Sequence, residues 1–322
     1  MEAAQVRYQP LWRVRLGLMR KSLATNWELF RDSKIGPIGL AIILFFGIFG
    51  ALHPLLMSTV WDAAIYDPVT GYDFPTDAQL KQGLTHPLPP STKHLLGTDP
   101  WGRDILSQLM YSTRAEFFLG VFAAFVTVFI GTLIGAISAY YGGFTDTFFM
   151  RLADVVMLFP LLAFLIVLSA MINLNLYTLA IVIGVIGGFG GITVVLKSQA
   201  LTIKVKPYIE AAKVSGGSHL HIITTHIIPN VLPLSFLYMM FNVTGAIFTE
   251  AVLSFFGLMN IQMSWGLMVE MANISGYLVG DAVTKYWWLF WPASLSISLL
   301  CTAFYLVGRG IDEIVNPRLR KR

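Results

Sequence analysis

The chain has 322 residues, 56% of them hydrophobic and 12% charged, with a mean hydropathy of +0.68. That balance cannot cover a water-facing shell, and because the apolar residues come in blocks it excludes intrinsic disorder, a collagen-like fibre and a disulfide-stapled secreted domain. The net charge of +4 does not point to nucleic acid, since the basic residues gather just outside the apolar blocks, where membrane topology retains them.

Residues 1–34 hold seven Lys/Arg, and within them Trp12, Leu16, Met19, Leu23, Trp27 and Phe30 recur at steps of three and four. The spacing predicts an amphipathic helix lying on a membrane surface. The first apolar block, 35–57, starts too late and runs too long for a cleaved leader, and is expected to remain as the first membrane helix. In the loop that follows, 58–114, the stretch 58–102 sets Lys81 and Lys93 against Asp62, Asp67, Asp73, Asp77 and Asp99, which places it across the membrane from the basic segments. These aspartates lack the spacing of a calcium loop and read as solvated turn residues.

Further blocks cover 116–141, 155–196, 231–256 and 286–308. The second of these runs 42 residues without Asp, Glu, Lys or Arg, twice the length of a span, and Asn173-Leu-Asn175 offers a turn at which to divide it. The expectation is an all-α integral membrane protein of six spans, with a core over 115–308, a cytoplasmic loop at 198–230, a tail at 309–322 and both termini cytoplasmic. Four lysines in 197–230 and five basic residues in the tail agree with that orientation. Arg151 and Asp154, three apart, form an interfacial ion pair in this reading. The glycines from Gly187 to Gly191 permit close packing or a kink. Glu250, near the outer end of the fifth span, faces protein or a water-filled path. Cys301 reads as a small buried hydrophobe.

Chemistry is mostly missing. There is no G-x-x-x-x-G-K-[ST] phosphate loop, no G-x-S-x-G elbow and no H-E-x-x-H helix. His219, His221 and His226 have no carboxylate or cysteine at a ligand spacing beside them, and are read as surface histidines. The informative stretch is 206–230. Pro207 suits a first helical turn, Gly216 and Gly217 can end that helix in the left-handed conformation, Ser218 can cap a second helix, and Pro229 ends that helix or starts the fifth span. An ordinary loop between spans satisfies the same pattern.

Motifs in order along the chain decide between these readings. Glu210-Ala-Ala, Gly216 and His226-Ile-Ile-Pro-Asn230 resemble the EAA loop of binding-protein-dependent ABC importer permeases. Leu96-Gly-Thr-Asp-Pro-Trp-Gly-Arg-Asp-Ile-Leu-Ser107 is similar to a signature of the dipeptide/oligopeptide branch. Tyr140-Tyr-Gly-Gly143, Met150-Arg-Leu-Ala-Asp-Val155, Glu250 to Gly257, Ser264-Trp-Gly266 and Asn316-Pro-Arg-Leu319 extend the match over most of the chain. The resemblance, closest to the C-type permease, implies the type I importer fold with a cytoplasmic coupling helix. It implies as partners a second homologous permease, two ATP-binding subunits, an extracytoplasmic substrate-binding protein and membrane lipid, with no nucleic acid. ATP and Mg would be bound by the partners and none by this chain, which would not itself be an enzyme.

Carried over residue by residue, Glu210, Ala211, Ala212, Gly216, Gly217, Pro229 and Asn230 would couple to the ATPase. Gly97, Thr98, Asp99, Gly102, Arg103 and Asp104 would shape the outer mouth, and Glu250 would lie on the substrate path. The chain departs from the family at His219 and His221, where an acidic and a basic residue are usual. It departs again at Leu258–Met263, in place of a proline-rich link, and at the longer stretch around Gly276–Tyr286. Peptide is the expected cargo, with oligosaccharide or chelated metal as alternatives within the same importer type, and a secondary transporter or channel as the rival class.

Overall fold

The computed structural model describes residues 11–76 and 85–315, and its regular elements there are helices, apart from one isolated bridge between Thr98 and Asp104. Asp77, Lys81, the tail motif Asn316–Leu319 and the side chains of Trp12, Leu16, Met19 and Leu23 lie outside the described part. In chain order the helices are α1 (Leu11–Asp32), α2 (Ile35–Thr59), α3 (Ala63–Tyr66), α4 (Ile105–Tyr141), α5 (Gly143–Leu158), α6 (Leu161–Met171), α7 (Leu176–Phe189) and α8 (Gly191–Lys204). Then come α9 (Pro207–Val214), α10 (His219–Ile222), a π-helical turn (Ile223–Ile227), α11 (Ile228–Phe255), α12 (Trp265–Ile274), α13 (Ala282–Lys285), a 3-10 turn (Trp287–Leu289) and α14 (Trp291–Val315).

Four helices are long and apolar enough to cross a membrane alone: α2, α4, α14 and the continuous rod His219–Phe255. The remaining two of the six expected spans are bent pairs, α5–α6 at 81° and α7–α8 at 45°. Pro160, which has no N–H and whose ring collides with the preceding turn, stands at the first bend. Gly190 stands at the second, so the glycine run serves as a kink. It also packs closely: a Cβ at Gly188 would lie 2.7 Å from Ile130 Cβ of α4. The division at Asn173–Asn175 falls where expected, because the Asn175 side chain accepts from the N–H groups of Tyr177 and Thr178, both at 3.0 Å.

Two features depart from the sequence reading. Helix α4 begins at Ile105 rather than Glu116, because Asp104 caps it by accepting from Ser107 N at 2.7 Å; the loop is correspondingly shorter than 58–114. At the other end of the chain, α1 does not simply lie on the bundle's outside. Trp27 is exposed, but Phe30 is buried, its ring against Gly36 and Gly310.

The end of the bundle carrying 60–104 and α12 is called the loop end below, and the opposite end, carrying α9 and α10, the hairpin end. Helix α4 runs between them and touches α2, α5, α7, α8 and α11. Apolar clusters hold the bundle around Phe46, Trp265 and Trp288 at the loop end, around Leu196, Ile209 and Ile227 at the hairpin end, and around Leu119, Leu165 and Leu253 between α4, α6, α7 and α11.

Where backbones touch, a side chain has no room. A Cβ at Gly39 of α2 would lie 2.5 Å from the Ala303 carbonyl oxygen of α14, whereas one at Gly47 would meet nothing within 4 Å. Gly39→Val should therefore destabilise the protein by ~1–3 kcal/mol through overpacking. Gly47→Val, with the same change in helix propensity, should lack that penalty; thermal unfolding of both in detergent checks the contrast.

Candidate functional site

The hairpin between α8 and α11 is built as a rigid projection. Pro207 opens α9, and Ile209 is fully buried against Leu196, Ala200, Ile222 and Ile227, with Ala212 half-buried on the same cluster. Glu210 and Ala211 point to the exposed side, next to Val214 at 90% and Leu220 at 70% exposure. Two apolar side chains so bare form an uncovered surface on which another protein can sit.

Helix α9 ends in a Schellman motif: Gly217 N donates to Ala212 O at 3.0 Å and Gly216 N to Lys213 O at 3.0 Å. Gly216 alone takes the left-handed conformation, at φ +80°, in open surroundings. Gly217 was expected to share it and does not; it is confined instead because a Cβ there would lie 2.8 Å from Ala212 O. Ser218 caps α10 as expected, accepting from His221 N at 3.3 Å.

The second helix does not stop at Pro229. The rod is continuous from His219 to Phe255, with Pro229 in the first turn of α11, where its missing N–H costs least, and Asn230 Nδ2 donates to His226 O at 2.7 Å. Three ties hold the hairpin to the bundle. Tyr140 Oη and His219 Nδ1 are 2.6 Å apart, Lys204 Nζ donates to Ala139 O at 2.9 Å, and Lys213 Nζ stands 5.5 Å from the Tyr140 ring centre. His219 is thus a fastening to the end of α4. Among the described residues no group of three His, Cys, Asp or Glu could hold a metal ion.

At the loop end, of the aspartates read as solvated turn residues, Asp62 is exposed and caps α3, Asp67 and Asp73 are half-buried, and Asp99 is buried. Asp99 and Asp104 are 3% and 1% exposed. Asp99 Oδ1 accepts from the N–H groups of Trp101 and Arg103 at 2.9 Å, and its Oδ2 from Arg103 Nε at 2.7 Å and Gln108 Nε2 at 2.8 Å. Thr98 Oγ1 meets His86 Nδ1 at 2.9 Å and accepts from Leu88 N at 2.8 Å, while its carbonyl accepts from Trp288 Nε1 at 3.2 Å. Gly97 and Gly102 supply the positive φ angles, +77° and +80°, that let the chain fold back on these groups. The motif from Gly97 to Asp104 is therefore the inside of a polar knot, and its exposed member is Trp101.

His94, which no sequence motif singles out, is the knot's centre. Its Nδ1 lies 2.8 Å from Asp104 Oδ2 and its Nε2 3.0 Å from Asp73 Oδ2, and Lys93 Nζ reaches Asp73 Oδ1 at 2.7 Å. Burial disfavours the charged ring, but the carboxylates of Asp104 and Asp73 outweigh it and hold the His94 pKa above its ordinary value.

Glu250 faces protein. It is fully buried, its Oε1 accepting from Ser254 Oγ at 2.5 Å, with the Ser264 hydroxyl and the Glu116 carboxyl also against it. Glu116, equally buried, faces Glu250 and the Trp265 backbone N–H. Neither oxygen of Glu116 nor Oε2 of Glu250 completes a hydrogen bond to a protein donor. This joint gathers α4, α11 and α12, and Glu250 lines none of the hollows described next. The exposed ion pair Arg151–Asp154 at 3.4 Å and half-buried Cys301 complete the residues singled out from sequence.

Three hollows follow one another down the open face of α4. The first, about 590 Å³, is lined by Tyr111, Arg114, Phe118, Tyr177, Asn260 and Gln262 among others. The second, about 480 Å³, shares Phe118 with it and adds Val121, Phe125 and Met239. The third, about 240 Å³, shares Phe125 and Met239 and continues past Phe129 and Thr132 to Ile228, beside the hairpin. Together they make a track from the loop end to the hairpin end.

A helical bundle with bent spans, an open track along one helix and a bare hairpin at one end is the build of a multi-span membrane permease. Over residues 131–321 the sequence matches the family described as the binding-protein-dependent transport system inner membrane component. It is 32% identical to the dipeptide transport system permease protein of Bacillus subtilis, over 92% of this chain and 85% of that protein. It is also 32% identical to the oligopeptide transport system permease protein of the same organism, over 91% and 88%, and 36% identical to its Haemophilus influenzae counterpart, over 70% and 71%. The chain belongs to this family of inner membrane transport components.

A histidine whose pKa is raised by folding stabilises fully below its unfolded value, near 6.5, and loses that contribution as pH rises through the folded value. The margin by which the protein outlasts His94→Gln on heating in detergent should thus shrink as pH is raised above about 6.5. His94→Gln should melt lower at pH 6, by the equivalent of ~3 kcal/mol for a broken buried charge pair, and should show a flatter dependence on pH.

Proposed function

We propose that this chain is one permease subunit of an ATP-driven importer for peptides, contributing half of the path and one lever. The observation that carries the proposal is the α9 hairpin, bare on one side and fastened on the other to α4, α8 and α11. A helix so mounted cannot move without carrying the spans with it. In this reading two ATP-binding subunits, which hold ATP and Mg, close on nucleotide and push their coupling helices. The paired permeases then pass between inward-open and outward-open states. An extracytoplasmic binding protein delivers cargo at the loop end. The names of the relatives support peptide over oligosaccharide or metal chelate as cargo.

The hairpin end is cytoplasmic in this proposal, with both chain termini on that side. Lys204, Lys206, Lys213 and Arg309 lie at that end, and the sequence 1–34 adds seven basic residues ahead of the first span, as retention of positive charge requires. Residues 1–34 form the cytoplasmic lead-in, 35–57 the first span, the loop that follows is extracytoplasmic, and 309–322 is a cytoplasmic tail. Glu210 offers charge to a basic ATPase surface, Ala211 allows close approach, and Val214 and Leu220 supply apolar contact. Gly216 makes the bend, and Pro229 with Asn230 carries it into α11. Glu250 belongs, in this reading, to the joint that keeps α4, α11 and α12 together beside the path.

Gly216→Val should strain the bend by ~1–2 kcal/mol through positive φ alone, since nothing crowds the site. The expected product is an inserted protein that recovers less ATPase subunit on co-purification, and undiminished recovery would count against the lever. Glu210→Ala should leave insertion and ATP turnover intact while peptide uptake by the assembled importer falls. Unchanged uptake would remove Glu210 from the coupling.

A further inference from the structure

The stretch Leu258–Met263, where the sequence departs from the family's usual proline-rich link, builds one wall of the first hollow. It is fixed on both sides. Asn260 N donates to Leu174 O at 2.7 Å, joining it to the turn before α7, and Tyr111 Oη donates to Gln262 Oε1 at 3.2 Å, joining it to α4. Opposite stand Phe118 and Tyr177, packed edge to face with ring centres 4.9 Å apart. The result is a walled hollow with amide groups on one side and aromatic faces on the other, of a size suited to a small organic molecule.

One charged side chain lines it. Arg114 lies on the exposed face of α4, its stem beside α2, where a Cβ at Gly50 would come within 3.5 Å of Arg114 Cγ. Among the described residues Arg114 has no carboxylate within ion-pair distance, unlike Arg103, Arg151 and Arg309. Below Phe118 the track is lined by no charged residue at all. A molecule travelling from the loop end therefore meets a single positive charge at the top of an otherwise neutral, mostly apolar track.

We propose that Arg114 receives the terminal carboxylate of the transported peptide in this hollow before the substrate moves onto the apolar track. The assignment rests on the peptide reading above. The guanidinium fork matches a carboxylate with two parallel hydrogen bonds, Asn260 and Gln262 present amide groups to the peptide backbone, and Phe118 and Tyr177 cover its side chains.

The test compares uptake of two probes, alanylalanine and alanylalaninamide, by the complete importer in proteoliposomes with its own binding protein. Whatever preference the binding protein has is common to wild type and variants and cancels in the ratio of uptakes. Arg114→Gln should lower the ratio of free peptide to amide by about tenfold or more, as loss of a charge-assisted pair requires, and Arg114→Lys should restore much of it. An unchanged ratio overturns the assignment, whether both uptakes fall together, as for an arginine that merely anchors α4 to lipid phosphate, or neither moves. A wild-type complex that imports no peptide overturns the peptide reading and this assignment with it. Peptide import with an unaltered ratio in Arg114→Gln overturns the Arg114 assignment alone.

Discussion

Everything in this bundle depends on how closely other backbones approach α4. Lipid offers no hydrophobic drive for one apolar helix to leave its tails for another, so association rests on surface fit and on hydrogen bonds made where water is absent. Helix α4 provides both. Gly120 admits Ile247 of α11, Gly135 lies against the α8 backbone near Leu196, and Thr132 shares a hydrogen bond with Ser235 at 2.9 Å. The same helix carries Glu116 into the joint with Glu250. Because α4 touches most other spans, a displacement at either of its ends is felt across the bundle.

Those two ends are where the polar chemistry is concentrated. At one, Asp104 caps the helix and Gln108, a turn further on, reaches Asp99, so the loop knot is continuous with α4 itself. At the other, Tyr140 stands in its last turn and holds His219 at the base of the hairpin. The loop that would face a delivery protein and the lever that would face a motor are thus fastened to opposite ends of one rod. The track of hollows runs along that rod's open face. In the function proposed above, signal and cargo would follow the same helix.

The spans were legible in the sequence because hydropathy reports them directly, and Asn175 and Gly190 were legible because turn and kink chemistry is local. The start of α4 was not, since Gln108, Ser112 and Glu116 break the apolar run. Their spacing of four, behind the capping Asp104, was the helical signal available: all three are buried on one face. The same oversight hid Arg114, which fell in the assumed loop. Asp99 and Asp73 were misjudged for a different reason: charge in a loop is solvated by default, and while Asp99 finds its partners nearby in Trp101, Arg103 and Gln108, Asp73 and Asp104 are brought together only through His94. That link joins residues far apart in sequence, and no local pattern encodes it. The hairpin's bend at Gly216 was readable, whereas the continuity of α10 with α11 was obscured by Pro229, a residue equally at home at a helix start and after a helix end.

The π-helical turn Ile223–Ile227 lies where the lever joins the membrane rod. A turn of this kind accommodates one surplus residue locally, so the faces before and after it keep their own registers. Thr224 and Thr225, both exposed, lie on the outside of that turn. Here alone along the rod, chain length is decoupled from azimuth: the hairpin could gain its angle toward a foreign subunit without turning Ser235 away from Thr132 or Glu250 away from Glu116. The wide turn thus separates the pitch of the handle from the register of the shaft.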